Sequence, residues 1–215
     1  GYVGTPTSLA ALPLASTAQV PFIAPFTGAQ ALREPFNRIA FHVRASYFDE
    51  TAEIVKQVTS IGAKRIAVFH QNDSYGKAGL DGVLRALKPL NLEPAALGTV
   101  ERNTVDVAVA VKSILAGKPD AIVQISAYKS CAAFIREARK AGYGGTFYNV
   151  SFVGTKALAD ELGADARGVV VSQVMPYPYS PASPLSGEYL AAGKAADGDK
   201  FEPNYSSIEG FVAAK

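Results

Sequence analysis

Hydroxyl groups are concentrated at a turn near the start of the chain, where they could hold an anion. The segment Val3-Gly4-Thr5-Pro6-Thr7-Ser8 is typical of a strand that passes directly into a helix. Thr5 is predicted as the N-cap, because its hydroxyl can accept from free amides of the first turn, and Pro6 suits the first helical position. Free amides and the positive end of the helix dipole favour a carboxylate there. The alternative is an ordinary cap flanked by surface threonines.

A second turn rich in hydroxyl and glycine follows the next predicted strand. The apolar segment 20–24 predicts that strand, and Pro25-Phe26-Thr27-Gly28-Ala29 follows it. Ligands of open α/β sheets bind at the edge where parallel strands end, so we expect the hydroxyls of Thr5 and Thr27 to lie close together and exposed. The residues suited to ligand binding that follow predicted strands are Thr5, Thr7, Thr27, Tyr75, Tyr128 and Ser151. Such a set can hold a small polar ligand without reacting with it.

The side chains that usually carry catalysis are sparse and badly spaced. His42 and His70 lie in or at the end of apolar strands, with no second histidine or acid at metal-ligand spacing. Cys131 is flanked by Ser130 and Ala132, and no base for it can be named. No nucleophile elbow, Walker loop or dinucleotide fingerprint follows a strand. We therefore expect no enzyme activity, no metal site and no cofactor.

The composition limits the kinds of partner that the protein could bind. The chain of 215 residues is 48% apolar and carries a net charge of +2, with no basic cluster that could grip a phosphate backbone, so a nucleic-acid partner is not expected. One cysteine excludes an internal disulfide. No apolar run is long enough to span a membrane, and no leader peptide is visible, so an exported form is expected to have lost its signal already.

Strand and helix patterns alternate along the chain, which predicts an α/β fold with doubly wound, mainly parallel sheets. The predicted strands are a short one at Val3 and the segments 20–24, 39–44, 65–70, 92–100, 121–125, 146–150 and 169–174. The predicted helices are one from Thr7 and the segments 46–60, 77–87, 105–115, 130–141, 153–162, 185–196 and 205–214. The first sheet is small for a stable core, so the chain is expected to begin and end inside a domain.

The order of several short motifs resembles the type I periplasmic binding proteins, and most closely the leucine/isoleucine/valine-binding solute receptors of ABC importers. The motifs are Gly4-Thr5-Pro6-Thr7, Pro21 to Ala29, Arg44-Ala45-Ser46, Ile66-Ala67-Val68-Phe69 with Asp73-Ser74-Tyr75-Gly76, and Lys118 to Ile122. The resemblance implies two lobes joined by a hinge and closing on a ligand. Residues 1–45 would form part of lobe 1, 46–174 lobe 2, and 175–215 a crossing segment that returns to lobe 1, which stays incomplete.

The resemblance also implies a binding site. Thr5 and the loop residues Phe26, Thr27 and Gly28 would hold an α-carboxylate, while Tyr75 and Tyr128 would face the ligand from lobe 2. In family members that bind amino acids, an acidic residue pairs with the α-ammonium group of the ligand. The corresponding position here would be Ser151, which is uncharged. Either Asp49 or Glu50 substitutes for that acid, or the ligand lacks an amine. An apolar or aromatic ligand body would suit Tyr47 and Phe152.

These expectations describe a periplasmic, non-enzymatic receptor that closes on a small carboxylate or amino acid and delivers it to a membrane ABC permease. Two alternatives stay open at this point. One is the ligand-sensing domain of a transcriptional regulator, which shares the architecture. The other is a small α/β enzyme that uses Cys131.

Overall fold

A computed structural model describes all 215 residues, 1–215, and shows two separate parallel sheets with helices packed on their faces. The helices are α1 (Thr5–Ala18), α2 (Tyr47–Ser60), α3 (Ser74–Leu87), α4 (Ala108–Ala116), α5 (Tyr128–Lys140), α6 (Thr155–Leu162), α7 (Pro184–Asp197) and α8 (Tyr205–Ala214). The strands are β1 (Phe22–Ile23), β2 (Ala40–Phe41), β3 (Ile66–Gln71), β4 (Leu97–Val100), β5 (Ala121–Ile125), β6 (Thr146–Asn149) and β7 (Val169–Val171). Each helix is too short or too polar to cross a membrane.

The small sheet pairs β1 with β2 in parallel, with Phe22 opposite Ala40. A further parallel bridge joins Val3 to Phe26. The segment that contains β1 and Phe26 therefore has β2 as its neighbour on one side and the chain at Val3 on the other. Two turns of the chain, one after Val3 and one after Phe26, therefore meet at the same edge of this sheet.

The large sheet has the strand order β4-β3-β5-β6-β7, and all of its pairings are parallel. β3 and β5 are buried along their whole length because helices cover both faces. Ile66 and Val68 pack toward the core shared with α2 and α3, whereas Ala67 and Phe69 pack toward α4 and α5. The chain passes from β3 to β4 at one edge and then crosses to β5 on the other side of β3, so the strand order reverses between β3 and β5. Ligand crevices of doubly wound sheets form at such a reversal.

The first core continues into the small sheet. Leu12 of α1 and Phe22 of β1 belong to the same buried cluster as Val68, and α1 touches α3 directly. The space between the two sheets is therefore packed. The lobe limits at residues 45 and 174 stay a prediction, although the packing of α2 against α3 agrees with them.

Caps explain where the site-bearing helices begin. Ser46 and Asp49 form a capping box at the start of α2, and the Asp73 side chain caps α3. The expectation that Thr5 caps α1 is wrong, because Gly4 holds that position with φ of 94°, which glycine adopts without strain. The Thr5 hydroxyl is thereby released from capping and is available for tertiary contacts.

Candidate ligand-binding site

The hydroxyls of Thr5 and Thr27 meet where the small sheet ends. Their Oγ1 atoms are 2.7 Å apart, and Thr27 Oγ1 also donates to the Tyr47 hydroxyl at 3.4 Å. The prediction that Thr5 and Thr27 lie close together is confirmed. The expectation that they are exposed is wrong, because Thr5 is 1% and Thr27 is 0% exposed. The cause is the packing of α1 and α2 over the end of the sheet.

Backbone pairing sets this geometry. Gly4 N donates to Phe26 O at 3.1 Å, which aligns the two turns, and Tyr47 N donates to Gly28 O at 2.7 Å. A Cβ atom on Gly28 would stand 2.7 Å from Tyr47 N, so glycine is required for this approach. Gly28 therefore positions Tyr47 beside the threonines, whereas a ligand contact by Gly28 itself stays a prediction.

Aromatic rings from both sheets fill the space next to the threonines. Phe26 lies 5.5 Å from Phe152, Phe152 lies 4.4 Å from Tyr75, and Tyr75 lies 5.5 Å from Tyr47, measured between ring centroids. Tyr47 and Tyr75 are fully buried, and burial raises the pKa of both phenols, which keeps them neutral. We call these four residues the aromatic cluster. It fills the space between the sheets beside the buried Thr5 and Thr27.

Two of the predicted site residues lie apart from this cluster. The Thr7 side chain is exposed, and its hydroxyl donates to the carbonyl groups of Val3 and Gly4. Tyr128, at the start of α5, packs against the second core and makes no ring contact with the aromatic cluster. In this closed arrangement neither is brought to Thr5 and Thr27.

Ser151 is buried, and a carboxylate lies directly beside it. Glu50 Oε2 accepts from Ser151 N at 2.7 Å and from Ser172 Oγ at 2.6 Å, and Glu50 Oε1 accepts from Ser151 Oγ at 3.0 Å. Burial raises the pKa of Glu50, and the hydrogen bonds from Ser172 and Ser151 oppose that rise only in part. Asp49 is exposed and serves the helix cap. Of the two substitutes that the sequence offered, only Glu50 stands beside Ser151.

A buried ion pair that was not singled out in the sequence completes this region. Arg44 Nε and Nη2 donate to the two carboxylate oxygens of Glu209, each at 2.8 Å, and the guanidinium lies 4.0 Å from the centroid of the Phe26 ring. Burial alone would lower the pKa of Arg44, but Glu209 raises it above its ordinary value. Arg44 lies in the short motif Arg44-Ala45-Ser46. No local pattern marks Glu209, which lies 165 residues further along the chain.

Several of these side chains border a small cavity of about 10 Å3, which has room for about one water molecule. Phe26, Arg44, Ser151 and Glu209 are among the residues that line it. Larger depressions lie elsewhere, including an open groove of about 390 Å3 between α2 and α3. No group of three acidic, histidine or cysteine side chains could hold a metal ion.

Comparison with known proteins gives this arrangement a family. The family model described as "Periplasmic binding protein" matches residues 1–215. The chain is a member of that family. A solved protein from Rhodopirellula baltica SH 1, described as a "possible leucine/isoleucine/valine-binding protein", is 36% identical to this binding protein, with a TM-score of 0.93 over 99% of this chain and 58% of the other.

Two further structures extend the likeness. A substrate-binding periplasmic protein from Ralstonia solanacearum is 31% identical, with a TM-score of 0.89 over 98% of this chain and 60% of that one. A branched-chain amino acid ABC transporter protein from Thermus thermophilus with bound valine is 17% identical with a TM-score of 0.84 over 99% of this chain and 56% of that one, which shows a shared fold. None of the curated proteins matches.

The predicted fold class is therefore confirmed as that of the type I periplasmic binding proteins. This binding protein spans less than two thirds of the length of the structures it resembles. Ligand contact by Thr5, Thr7, Phe26, Thr27, Gly28, Tyr47, Tyr75, Tyr128 and Ser151 stays a prediction. The groups gathered at the junction donate and accept hydrogen bonds, as the polar groups of a ligand-binding pocket do.

Proposed function

We propose that this protein is the substrate-binding component of an ABC importer, and that it binds a small carboxylate between its two sheets. Examples of such a carboxylate are a branched-chain or other hydrophobic amino acid and a related organic acid. The observation that carries the proposal is the 2.7 Å meeting of Thr5 and Thr27 at the carboxyl ends of parallel strands, beneath Tyr75 and Phe152 from the opposite sheet.

The closed arrangement explains how such a site would work. In the closed arrangement Thr27 donates to the Tyr47 hydroxyl and Thr5 can donate to Thr27, so the burial of the two threonines leaves no unpaired donor. When the sheets separate, a carboxylate can accept from both hydroxyls, and the aromatic cluster can close on the apolar part of the ligand. Contacts to both sheets favour the closed form, so binding shifts the population toward it.

Glu50 bears on whether the ligand carries an amine. Its carboxylate is held by uncharged donors only, so no direct ion partner neutralises it. An ammonium group near Ser151 would face that negative charge. The names of the relatives from Rhodopirellula baltica and Thermus thermophilus, which refer to branched-chain amino acids, support the same ligand class.

The proposed setting follows from the family. A periplasmic binding protein works outside the cytoplasm and presents its closed form to a membrane permease, and we propose both for this chain. An enzyme based on Cys131 finds no support, because Cys131 is fully buried and burial raises the pKa of its thiol.

The test removes both buried hydroxyls at once, in the double variant Thr5→Val with Thr27→Val. Replacing both partners of a hydrogen bond by groups of similar shape costs less stability than removing one. Titration calorimetry with L-valine and with 3-methylbutanoate is expected to show at least about a tenfold loss of affinity for whichever ligand the native protein binds.

Thr104→Val is the matched control, since Thr104 is exposed, lies outside the predicted site, and its hydroxyl bonds only to the nearby carbonyl group of Glu101. It should leave affinity unchanged. Thermal unfolding of both variants shows whether the fold is retained. Unchanged affinity in a folded double variant would contradict the placement of the carboxylate at the threonines.

A further inference from the structure

The guanidinium of Arg44 has one nitrogen without a partner. Nε and Nη2 are taken by Glu209, but Nη1 is buried and makes no hydrogen bond in the protein. Arg44 as a whole is only 4% exposed. A buried donor left unpaired costs free energy, so the site is complete only when an acceptor reaches Nη1.

The cavity of about 10 Å3 that Arg44 lines shares part of its wall with a groove at the surface. Gly154, Thr155, Tyr205 and Ser206 line this cavity and also an open groove of about 300 Å3 between the starts of α6 and α8. Phe26 and Ser151, two of the predicted ligand-binding residues, line the cavity as well. Arg44 therefore borders the space in which the ligand is proposed to bind.

The charges around Nη1 decide what kind of acceptor fits. Glu209 already neutralises the guanidinium through two hydrogen bonds, and the Glu50 carboxylate is close enough to act on Arg44. A second carboxylate would face repulsion from both glutamates, and an amine would face the guanidinium itself. An uncharged oxygen avoids both costs.

We propose that Arg44 determines specificity at this site, with Nη1 donating to the carbonyl oxygen of a carboxamide at the end of the ligand remote from its carboxylate. Gln173 lines the same cavity, and its Nε2 donates to Thr155 Oγ1, which leaves its own carbonyl oxygen to accept from the carboxamide N–H groups. This inference rests on the proposed function and narrows its ligand class.

The experiment uses two series of probes that differ only in their terminal group. L-glutamine, L-glutamate and L-homoleucine have side chains of the same shape, ending in carboxamide, carboxylate and isopropyl. Glutaramate, glutarate and 5-methylhexanoate form the corresponding series without the amine. Calorimetry on the native protein is expected to show the carboxamide of one series binding at least about tenfold tighter than its two isosteres.

The variant Arg44→Lys assigns the preference to a residue. Lysine keeps a positive charge for Glu209 but lacks the forked donors of arginine. The carboxamide preference should fall to within about threefold, with the affinity for the apolar probe retained. Arg136→Lys, at a partly exposed ion pair whose residues do not line the cavity, is the matched control and should leave the order of ligands unchanged.

The native protein alone decides the matter if Arg44→Lys does not fold. Equal binding of carboxamide and apolar probes would show that a water molecule satisfies Nη1, and would overturn the inference while leaving the receptor proposal intact. If neither these probes nor any other small carboxylate binds, the receptor proposal falls, and this inference falls with it.

Discussion

Two buried carboxylates lie at the junction of the sheets, and they are held in opposite ways. Glu209, on α8, accepts two hydrogen bonds from the guanidinium of Arg44, so its negative charge is paired with a positive one. Glu50, on α2, is held only by the uncharged donors of Ser151 and Ser172. Both glutamates are at most 5% exposed, so burial is the same and the partner is what differs.

The difference predicts how each site tolerates loss of charge. Arg44 has donors on both of its contacting nitrogens and cannot accept a hydrogen bond, so its partner must offer two acceptors. A serine hydroxyl can rotate and exchange donor for acceptor. The site of Glu209 therefore requires a side chain with two acceptors, whereas the serines around Glu50 can accommodate either a donor or an acceptor. Such freedom suits a region that must rearrange when the sheets separate.

The largest expected effect comes from Glu209→Gln. The amide nitrogen of glutamine would face a donor of Arg44 and leave the guanidinium buried without a counter-charge. Breaking a buried ion pair by changing one partner costs about 3–5 kcal/mol. Urea unfolding at neutral pH should show this loss of unfolding free energy.

Glu161→Gln is the control for that comparison. Glu161 pairs with Arg136, and the two side chains are 35% and 37% exposed. A partly exposed pair of this kind contributes about 0–1 kcal/mol. Equal losses at positions 209 and 161 would contradict the view that burial makes the Arg44 pair important.

At Glu50 we expect a smaller effect that depends on the replacement. In Glu50→Gln, the amide oxygen can accept from Ser151 N and Ser172 Oγ while the amide nitrogen donates to Ser151 Oγ, whose hydroxyl reverses. The change in unfolding free energy should stay below about 1 kcal/mol. Glu50→Ala leaves Ser151 N–H buried without an acceptor and should cost about 1–3 kcal/mol.

The two Glu50 variants serve as controls for one another, because both remove the same charge, whereas glutamine keeps the shape and hydrogen bonds of the side chain and alanine loses them. Urea unfolding of both under the same conditions measures the contrast. If Glu50→Gln destabilises the protein as much as Glu209→Gln does, charge and not hydrogen-bond satisfaction governs both sites, and the comparison fails.

The sequence was sufficient for features that depend on local pattern. Alternating apolar strands and amphipathic helices predict the parallel sheet built on β3 and β5, and the turns after Val3 and Phe26 predict the meeting of Thr5 and Thr27. The helix predicted over 46–60 matches α2 (Tyr47–Ser60) with Ser46 as its cap, because the partners of that cap lie within one turn of helix. Element ends were less accurate: α3 begins at Ser74 and α5 at Tyr128, each earlier than predicted.

Features that join distant parts of the chain were beyond sequence reasoning. Ser151 and Glu50 are 101 residues apart, and no pattern shows that the first would cover the second. The burial of Thr5 and Thr27 was missed for a related reason. It depends on α1 and α2 packing across the end of the small sheet. A turn rich in hydroxyl groups is predicted to be exposed when only the residues of the turn itself are considered.

The smallest expected effect is a pH dependence that belongs to Glu50 alone. Burial raises the pKa of Glu50 above its ordinary value of 4.5, so the folded protein holds this proton more tightly than the unfolded chain does. As the pH rises from 4.5 through the raised pKa, the unfolded chain releases its proton first, and this group's contribution to stability decreases.

Glu50→Gln has no proton to lose, so its stability relative to the native protein should improve over that range and then become constant. Urea unfolding of both proteins at a series of pH values and fixed ionic strength measures the difference. A difference that does not change with pH would mean that the hydrogen bonds from Ser151 and Ser172 cancel the cost of burial, and that Glu50 is as fully compensated by uncharged donors as Glu209 is by Arg44.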